Sequence, residues 1–180
     1  MTSAKLKLLF HVCCAPCSGY LSTKLGEIFD LTIYYDNSNI FPESEFRKRS
    51  KEAQKFFESQ NIDFVLAKWD HQRWLELVRG LEDEPERGRR CALCYHSRLR
   101  SAAQYAKTNG FDVFTTALSV SPHKDGELLR KIGRNLAGEY GVQFLDEDFK
   151  QNDGFKKAGE FARELGFYRQ NYCGCEFSKL

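Results

Sequence analysis

The sequence predicts an α/β protein, a single parallel sheet covered by helices on both faces. Short apolar runs rich in β-branched and aromatic residues alternate with stretches of helical periodicity from end to end. The 180 residues suit one medium-sized domain spanning 1–180. No repeat, low-complexity segment or linker interrupts the alternation.

Leu8 to Val12 reads as the first strand. Pro16 suits the first turn of the helix that follows, where its missing N–H costs nothing, and that helix runs towards Phe29. Leu31 to Tyr35 is the second strand. A charged helix follows Pro42, with Phe46, Ala53, Phe56 and Phe57 on one face. Phe64 to Leu66 is a third strand, and Trp74, Leu75 and Val78 mark a short helix. Leu81 to Arg90 reads as a loop.

Ala92 to Lys107 forms another helix through Tyr95, Leu99, Ala102, Ala103 and Ala106, stopped at Asn109-Gly110. Val113 to Val120 reads as a strand. Asp125 is placed to cap a helix carrying Leu128, Leu129, Ile132 and Leu136, with Gly141 at its end. Val142 to Leu145 is the fifth strand. Phe155, Ala158, Phe161, Ala162 and Leu165 mark the last helix, closed by Gly166.

A formal charge of +2 excludes a polybasic tail, although a local basic patch can hide within it. No apolar run approaches the roughly 18 residues of a membrane helix. The opening MTSAKLKLLFHVCCAPC lacks the small-residue cleavage site of a secretory signal, so a cytoplasmic protein without membrane contact is expected. The composition is ordinary except for seven cysteines. An odd count without a secretion signal does not fit a disulfide framework, and clustered thiols in a reducing compartment point to metal or redox chemistry.

They fall into three groups. Cys13, Cys14 and Cys17 lie where the first strand meets its helix, the place of a glycine-rich phosphate loop in nucleotide-binding relatives of this fold class. Neither G-x-G-x-x-G nor G-x-x-x-x-G-K-[ST] occurs. Cys91-x-x-Cys94 has a spacing that recurs in zinc and iron–sulfur sites. Cys173-Gly-Cys175 can close a strained, reducible disulfide or supply late metal ligands. Four thiolates suffice for one [4Fe–4S] cluster, leaving three for a second metal or a redox pair. A structural zinc consumes the same four.

Two other readings use the same residues. Strand, Cys14-Ala-Pro-Cys17 and helix is a thioredoxin-like layout, with Pro122 as the facing proline, but it leaves five cysteines without a purpose. A zinc-stabilised RNA-binding domain needs no catalysis at all.

Arg87, Arg89, Arg90, Arg98 and Arg100 surround the second pair and suit either a solvated helix face or a phosphate backbone. Arg47, Lys48 and Arg49 form a second basic run. Lys124, in Ser121-Pro122-His123-Lys124-Asp125, is a further phosphate candidate, and His123 a substrate contact. His11 alternates with core positions and reads as buried, His71 as a helix opener and His96 as a donor near Cys94. Tyr168, Arg169, Gln170, Asn171 and Tyr172 interleave rings with an arginine and amides, as surfaces that hold an unstacked RNA base do.

The segments LLFHVCCAPCSGY, NSNIFPESEFRKR, RGRRCALCYHSRL, FTTALSVSPHKD and YRQNYCGCEFS, in order along nearly the whole chain, resemble the QueH-type epoxyqueuosine reductases. The resemblance implies a HUP-like (Rossmann-like) α/β sandwich. It also implies reduction of epoxyqueuosine in the anticodon loop of tRNA to queuosine, without cobalamin and with an electron donor still to be identified. A [4Fe–4S] cluster on Cys13, Cys14, Cys91 and Cys94 is implied, with Cys173 and Cys175 as a redox-active pair that Cys17 joins around an additional iron or zinc as the catalytic cysteines. The family pattern more often carries a residue other than His123 in the SPHKD segment.

Overall fold

A computed structural model describes residues 4–178. Within them, five parallel strands form one sheet in the order β3-β2-β1-β4-β5. They are β1 Lys7–His11, β2 Asp30–Tyr35, β3 Asp63–Leu66, β4 Val113–Thr116 and β5 Gln143–Phe144. The helices are α1 Ala15–Ile28, α2 Glu43–Ser59, α3 His71–Leu77, α4 Arg89–Thr108, α5 Gly126–Tyr140 and α6 Gly154–Glu164.

Successive side chains of a strand point to opposite faces, and β1 buries both sets. Leu8, Phe10 and Val12 pack with Leu21 and Leu25 of α1 and with Phe46, Ala53 and Phe57 of α2. Leu9 packs with Phe114 and with Leu99, Ala103, Leu129 and Leu136 of α4 and α5. Burial on both faces is why these strands are apolar runs with little polar alternation. Helix α6 lies against α1, where the Phe161 and Phe167 rings occupy the space that a side chain at Gly19 would need.

Central β1 pairs with β2 on one side and β4 on the other, with Phe10 opposite both Ile33 and Thr115. The chain moves outward from β1 to β3, then crosses back to add β4 and β5. Strand order therefore reverses between β1 and β4, and in open sheets of this kind a crevice opens there beyond the strands' carboxyl ends.

Local chemistry sets the helix ends. Asp70 accepts from Arg73 N at 3.1 Å and Asp125 from Leu128 N at 3.0 Å, and Gly141 ends α5 in the left-handed region at φ 64°. Helix α4 begins three residues before the expected Ala92, because Glu84 accepts from both Arg89 N and Arg89 Nε. The expected strand Val113–Val120 stops at Thr116, whose hydroxyl accepts from Leu118 N and starts a 3-10 turn over Ala117–Val120. The run is apolar throughout because the turn is as buried as the strand. Strand β5 is shorter than expected, and Phe155 and Leu165 at the ends of α6 are exposed.

Two glycines of α5 separate packing from propensity. Gly133 is buried, and a Cβ there would collide with the Phe144 ring, whereas Gly138 is exposed and faces nothing. Gly138→Ala should raise stability by about 0.5–1 kcal/mol. Gly133→Ala should lower it, because overpacking costs about 1–3 kcal/mol and exceeds the propensity gain; urea unfolding of both variants checks the opposite signs.

Candidate thiol-rich active site

Cys13, Cys14 and Cys17 sit beyond the carboxyl end of β1, on the turn into α1. Cys14 is the N-cap residue, Pro16 lies in the first turn, and Ser18 Oγ donates to Cys14 O at 2.6 Å. This tight entry brings the three sulfurs within 4.8 Å of one another, Cys13 and Cys14 being 3.8 Å apart. Gln170 Nε2 donates to Cys14 Sγ at 3.0 Å from the C-terminal segment.

Hydrogen bonding with Cys14 and Cys17, helped by the nearby Arg98 charge, holds Cys13 well below the ordinary thiol range. The other two shift the other way. Cys14 is pushed up to about 12 by its bond to Cys13 and by burial, and Cys17 also rises. Three sulfurs so close together are the donor set of a thiophilic metal.

His11 is fully buried between Thr116 Oγ1 at 2.9 Å and Asp36 O at 3.0 Å. Burial and the Arg98 charge lower its pKa to about 3. It is a neutral, satisfied core histidine.

Cys91 and Cys94 lie one turn apart at the start of α4. Together with Cys173, Cys175, Asn39, Trp74, Arg90, Tyr95 and Arg98 they line one small cavity. The C-terminal segment is pinned there from several sides. Arg49 Nη1 donates to Cys173 O at 3.1 Å and Arg49 Nη2 to Tyr172 O at 3.4 Å, while Phe41 N donates to Gly174 O at 2.8 Å. Gly174 holds φ 124°, and a Cβ there would lie 2.9 Å from the Ile40 side chain. His71 is buried between Ser38 O and Glu176, 2.8 Å from each, and Trp74 stacks on Phe177.

Arg98 stands between the two thiol groups. Its charge acts on Cys94, Cys13 and Cys173 together, and its Nη2 donates to Asn37 Oδ1. Burial pushes Cys94 up to about 11 against that charge. All seven cysteines are free thiols.

The basic residues divide. Arg87, Arg89, Arg100 and Arg169 are exposed, with Arg89 paired to Glu84 and Arg100 bonded to Tyr140. Arg90 and Arg98 are buried instead of surface-facing, and Arg90 Nη1 donates to the carbonyls of Leu81, Glu82 and Glu84. Helical spacing explains it, since 90, 94 and 98 share the inward face of α4 with Cys91. Arg49 is buried for the same reason, on the face of Phe46, Ala53 and Phe57.

Lys124 is buried with its ammonium 2.7 Å from Cys173 Sγ, which takes it off the surface where a phosphate would bind. Tyr168 is half-buried, with Lys48 Nζ 3.2 Å from its ring centroid and its hydroxyl donating to Glu45. His96, His123 and Pro122 are exposed.

Asn37, Asn39, His71 and Trp74 complete the walls and are not expected there from the sequence, and Arg49, expected only in a basic run, joins them. The inward helical positions of Arg49 and Trp74 were the available signal. The buried Asn39 Oδ1, Arg90 Nε and Arg98 Nε have no hydrogen-bond partner. The orphaned guanidinium donors of Arg90 and Arg98, which line the small cavity with four cysteines, suit an anionic, thiolate-held centre.

The family model described as epoxyqueuosine reductase QueH matches residues 8–180. The chain belongs to this family. It is 39% identical to the epoxyqueuosine reductase QueH of Streptococcus pyogenes, over 98% of this chain and 71% of that protein. Identity to the QueH of Histophilus somni is 41%, over 96% of this chain and 72% of the relative. A crystal structure of a predicted tRNA methyltransferase subunit from Methanocaldococcus jannaschii superposes with a TM-score of 0.58 at 12% identity. It covers 87% of this chain and 75% of its own, and the likeness is one of fold. This QueH-family chain is an oxidoreductase.

In this family member Arg49 ties the C-terminal turn to α2. Arg49→Met removes two bonds to carbonyls and should cost about 1.5–3 kcal/mol. The expected signature is faster amide hydrogen exchange across residues 170–178 with β1 and β4 unchanged, read by mass spectrometry.

Proposed function

We propose that this chain reduces the epoxide of epoxyqueuosine in tRNA, leaving the alkene of queuosine, the last step in making that base. The family match over residues 8–180 carries the reading, and the convergence of seven thiols on one sheet edge supports it. The three neighbouring sulfurs and the orphaned guanidinium donors fit a thiolate-held metal centre. In this reading Cys13, Cys14, Cys91 and Cys94 hold a [4Fe–4S] cluster, and Cys17 lies at an additional iron or zinc. Bound there, such a centre supplies one-electron transfer and a Lewis acid.

The chain's own groups do the remaining work. Deoxygenation takes up two electrons and two protons and releases water. Cys173 and Cys175 yield two electrons when they join as a disulfide, solvent completes the two protons, and an external thiol reductant returns the electrons. Arg98 and Lys124 hold positive charge beneath the reacting thiols. Arg87, Arg89, Arg100 and Arg169 remain exposed for phosphates, and Tyr168 and Tyr172 flank the approach of an unstacked base. A tRNA substrate places the reaction in the cytoplasm.

The deciding assay uses anaerobically purified, iron-loaded protein on tRNA carrying epoxyqueuosine, with conversion to queuosine expected. A colourless protein that holds only zinc and converts nothing would overturn the reading. Serine at Cys13, Cys14, Cys91 or Cys94 should lower bound iron together with turnover. Cys173→Ser and Cys175→Ser should keep the iron yet lose turnover by about 100-fold or more; full turnover in both would exclude the dithiol route.

For the nucleic acid, the triple variant Arg87→Ala, Arg89→Ala, Arg169→Ala should weaken tRNA binding. Its log-affinity against log-salt slope should flatten by about 0.7 for each single-strand phosphate that the variant leaves without a cation. Binding titrations over a salt series read both quantities.

A further inference from the structure

The two sulfurs of the Cys173-Gly174-Cys175 turn have unlike surroundings. Lys124 Nζ lies 2.7 Å from Cys173 Sγ and 3.7 Å from a Glu86 carboxylate oxygen. An ammonium only donates, so the sulfur accepts. The lysine is delivered by a fixed turn beyond β4, since Lys124 N donates to Ser121 O and the next residue caps α5. Arg49 fixes the Cys173 backbone from the opposite side.

Cys175 packs instead against Trp74, Val78, Cys94 and Phe177. Its carbonyl accepts from Ser178 N and Oγ. Arg90, the guanidinium whose charge reaches Cys175, directs Nη1 at three backbone carbonyls. Cys173 is half-buried and Cys175 is buried. Burial opposes the charge on Lys124, but Cys173, Tyr95 and Glu86 outweigh it and hold the ammonium above its ordinary range.

We propose that Lys124 sorts this pair, making Cys173 the sulfur through which electrons enter from an external dithiol and Cys175 the interior partner that closes the disulfide. The inference rests on the reading of Cys173 and Cys175 as a redox pair. One thiolate of the reductant attacks Cys173 Sγ, the S–S bond breaks, and Cys175 leaves and takes up a proton. The reductant's second thiol then attacks its own sulfur in the mixed disulfide. Cys173 departs as a thiolate whose charge meets the Lys124 ammonium 2.7 Å away, and the reductant leaves as its disulfide. Two electrons and one proton pass from the reductant, a thiolate and a thiol, to the pair, which ends as Cys173 thiolate and Cys175 thiol.

The test is competitive alkylation of reduced, iron-loaded, full-length protein with limiting iodoacetamide, read by peptide mass spectrometry. Cys173 should label about 10-fold or more faster than Cys175, as a cation-paired and more accessible thiol does. Lys124→Gln should remove most of that preference and Lys124→Arg should retain it. Faster labelling of Cys175, or an unchanged ratio in Lys124→Gln, would overturn the proposal.

Should Lys124→Gln not fold, trapping decides. Mixed with oxidised glutathione, Cys175→Ser should form a mixed disulfide at Cys173 faster than Cys173→Ser forms one at Cys175, and the reverse order sinks the idea. Full turnover in both serine variants would remove the redox reading while leaving the labelling order intact. Lost turnover without any labelling preference would remove the role of Lys124 alone.

Discussion

Buried positive charge beneath a crowd of thiols is the interaction on which this structure depends. Arg49, Arg90, Arg98 and Lys124 are each largely removed from solvent. A buried cation is tolerable only when it is paired or hydrogen-bonded. Arg49 and Arg90 direct their donors at backbone carbonyls, Arg98 at Asn37, and Lys124 at Cys173. Satisfying the cations therefore ties down the C-terminal segment and the loop before α4. Those same segments carry or border the cysteines, so order in the irregular parts of the chain and charge at the site have one cause.

The sheet supplies the place. Reversal of strand order between β1 and β4 leaves a crevice beyond their carboxyl ends, and both flanking turns have been turned to thiol chemistry. The turn after β1 carries Cys13, Cys14 and Cys17, and the turn after β4 delivers Lys124. A fold neighbour at 12% identity keeps the architecture, as expected when function resides in sites set upon a common scaffold.

Arg98 places one fixed charge within reach of both thiol groups, acting on Cys13 and on Cys94 and Cys173. The C-terminal turn adds an asymmetry of its own. One of its sulfurs faces an ammonium, and the other faces the Trp74 wall.

Strand–helix alternation, caps at Asp125 and Gly141, and apolar periodicity made the parallel sandwich legible from the chain alone, because these are local properties of successive residues. The three cysteine groups were equally legible as a set, and order along the chain already resembled the family. Where the apolar run of 113–120 turns from strand to 3-10 helix was not legible, since both conformations bury the same side chains. Nor was the inward facing of Arg90, Arg98 and Lys124: sequence marks them as charges, and a charge reads as surface until a buried partner is known. Their partners, the carbonyls of 81–84, Asn37 and Cys173, lie on distant segments or across a helix turn. The sequence by itself determined which chemistry the thiols can perform. Only the tertiary structure decided which cation meets which sulfur, because that pairing depends on segments some 50 to 120 residues apart closing over one sheet edge.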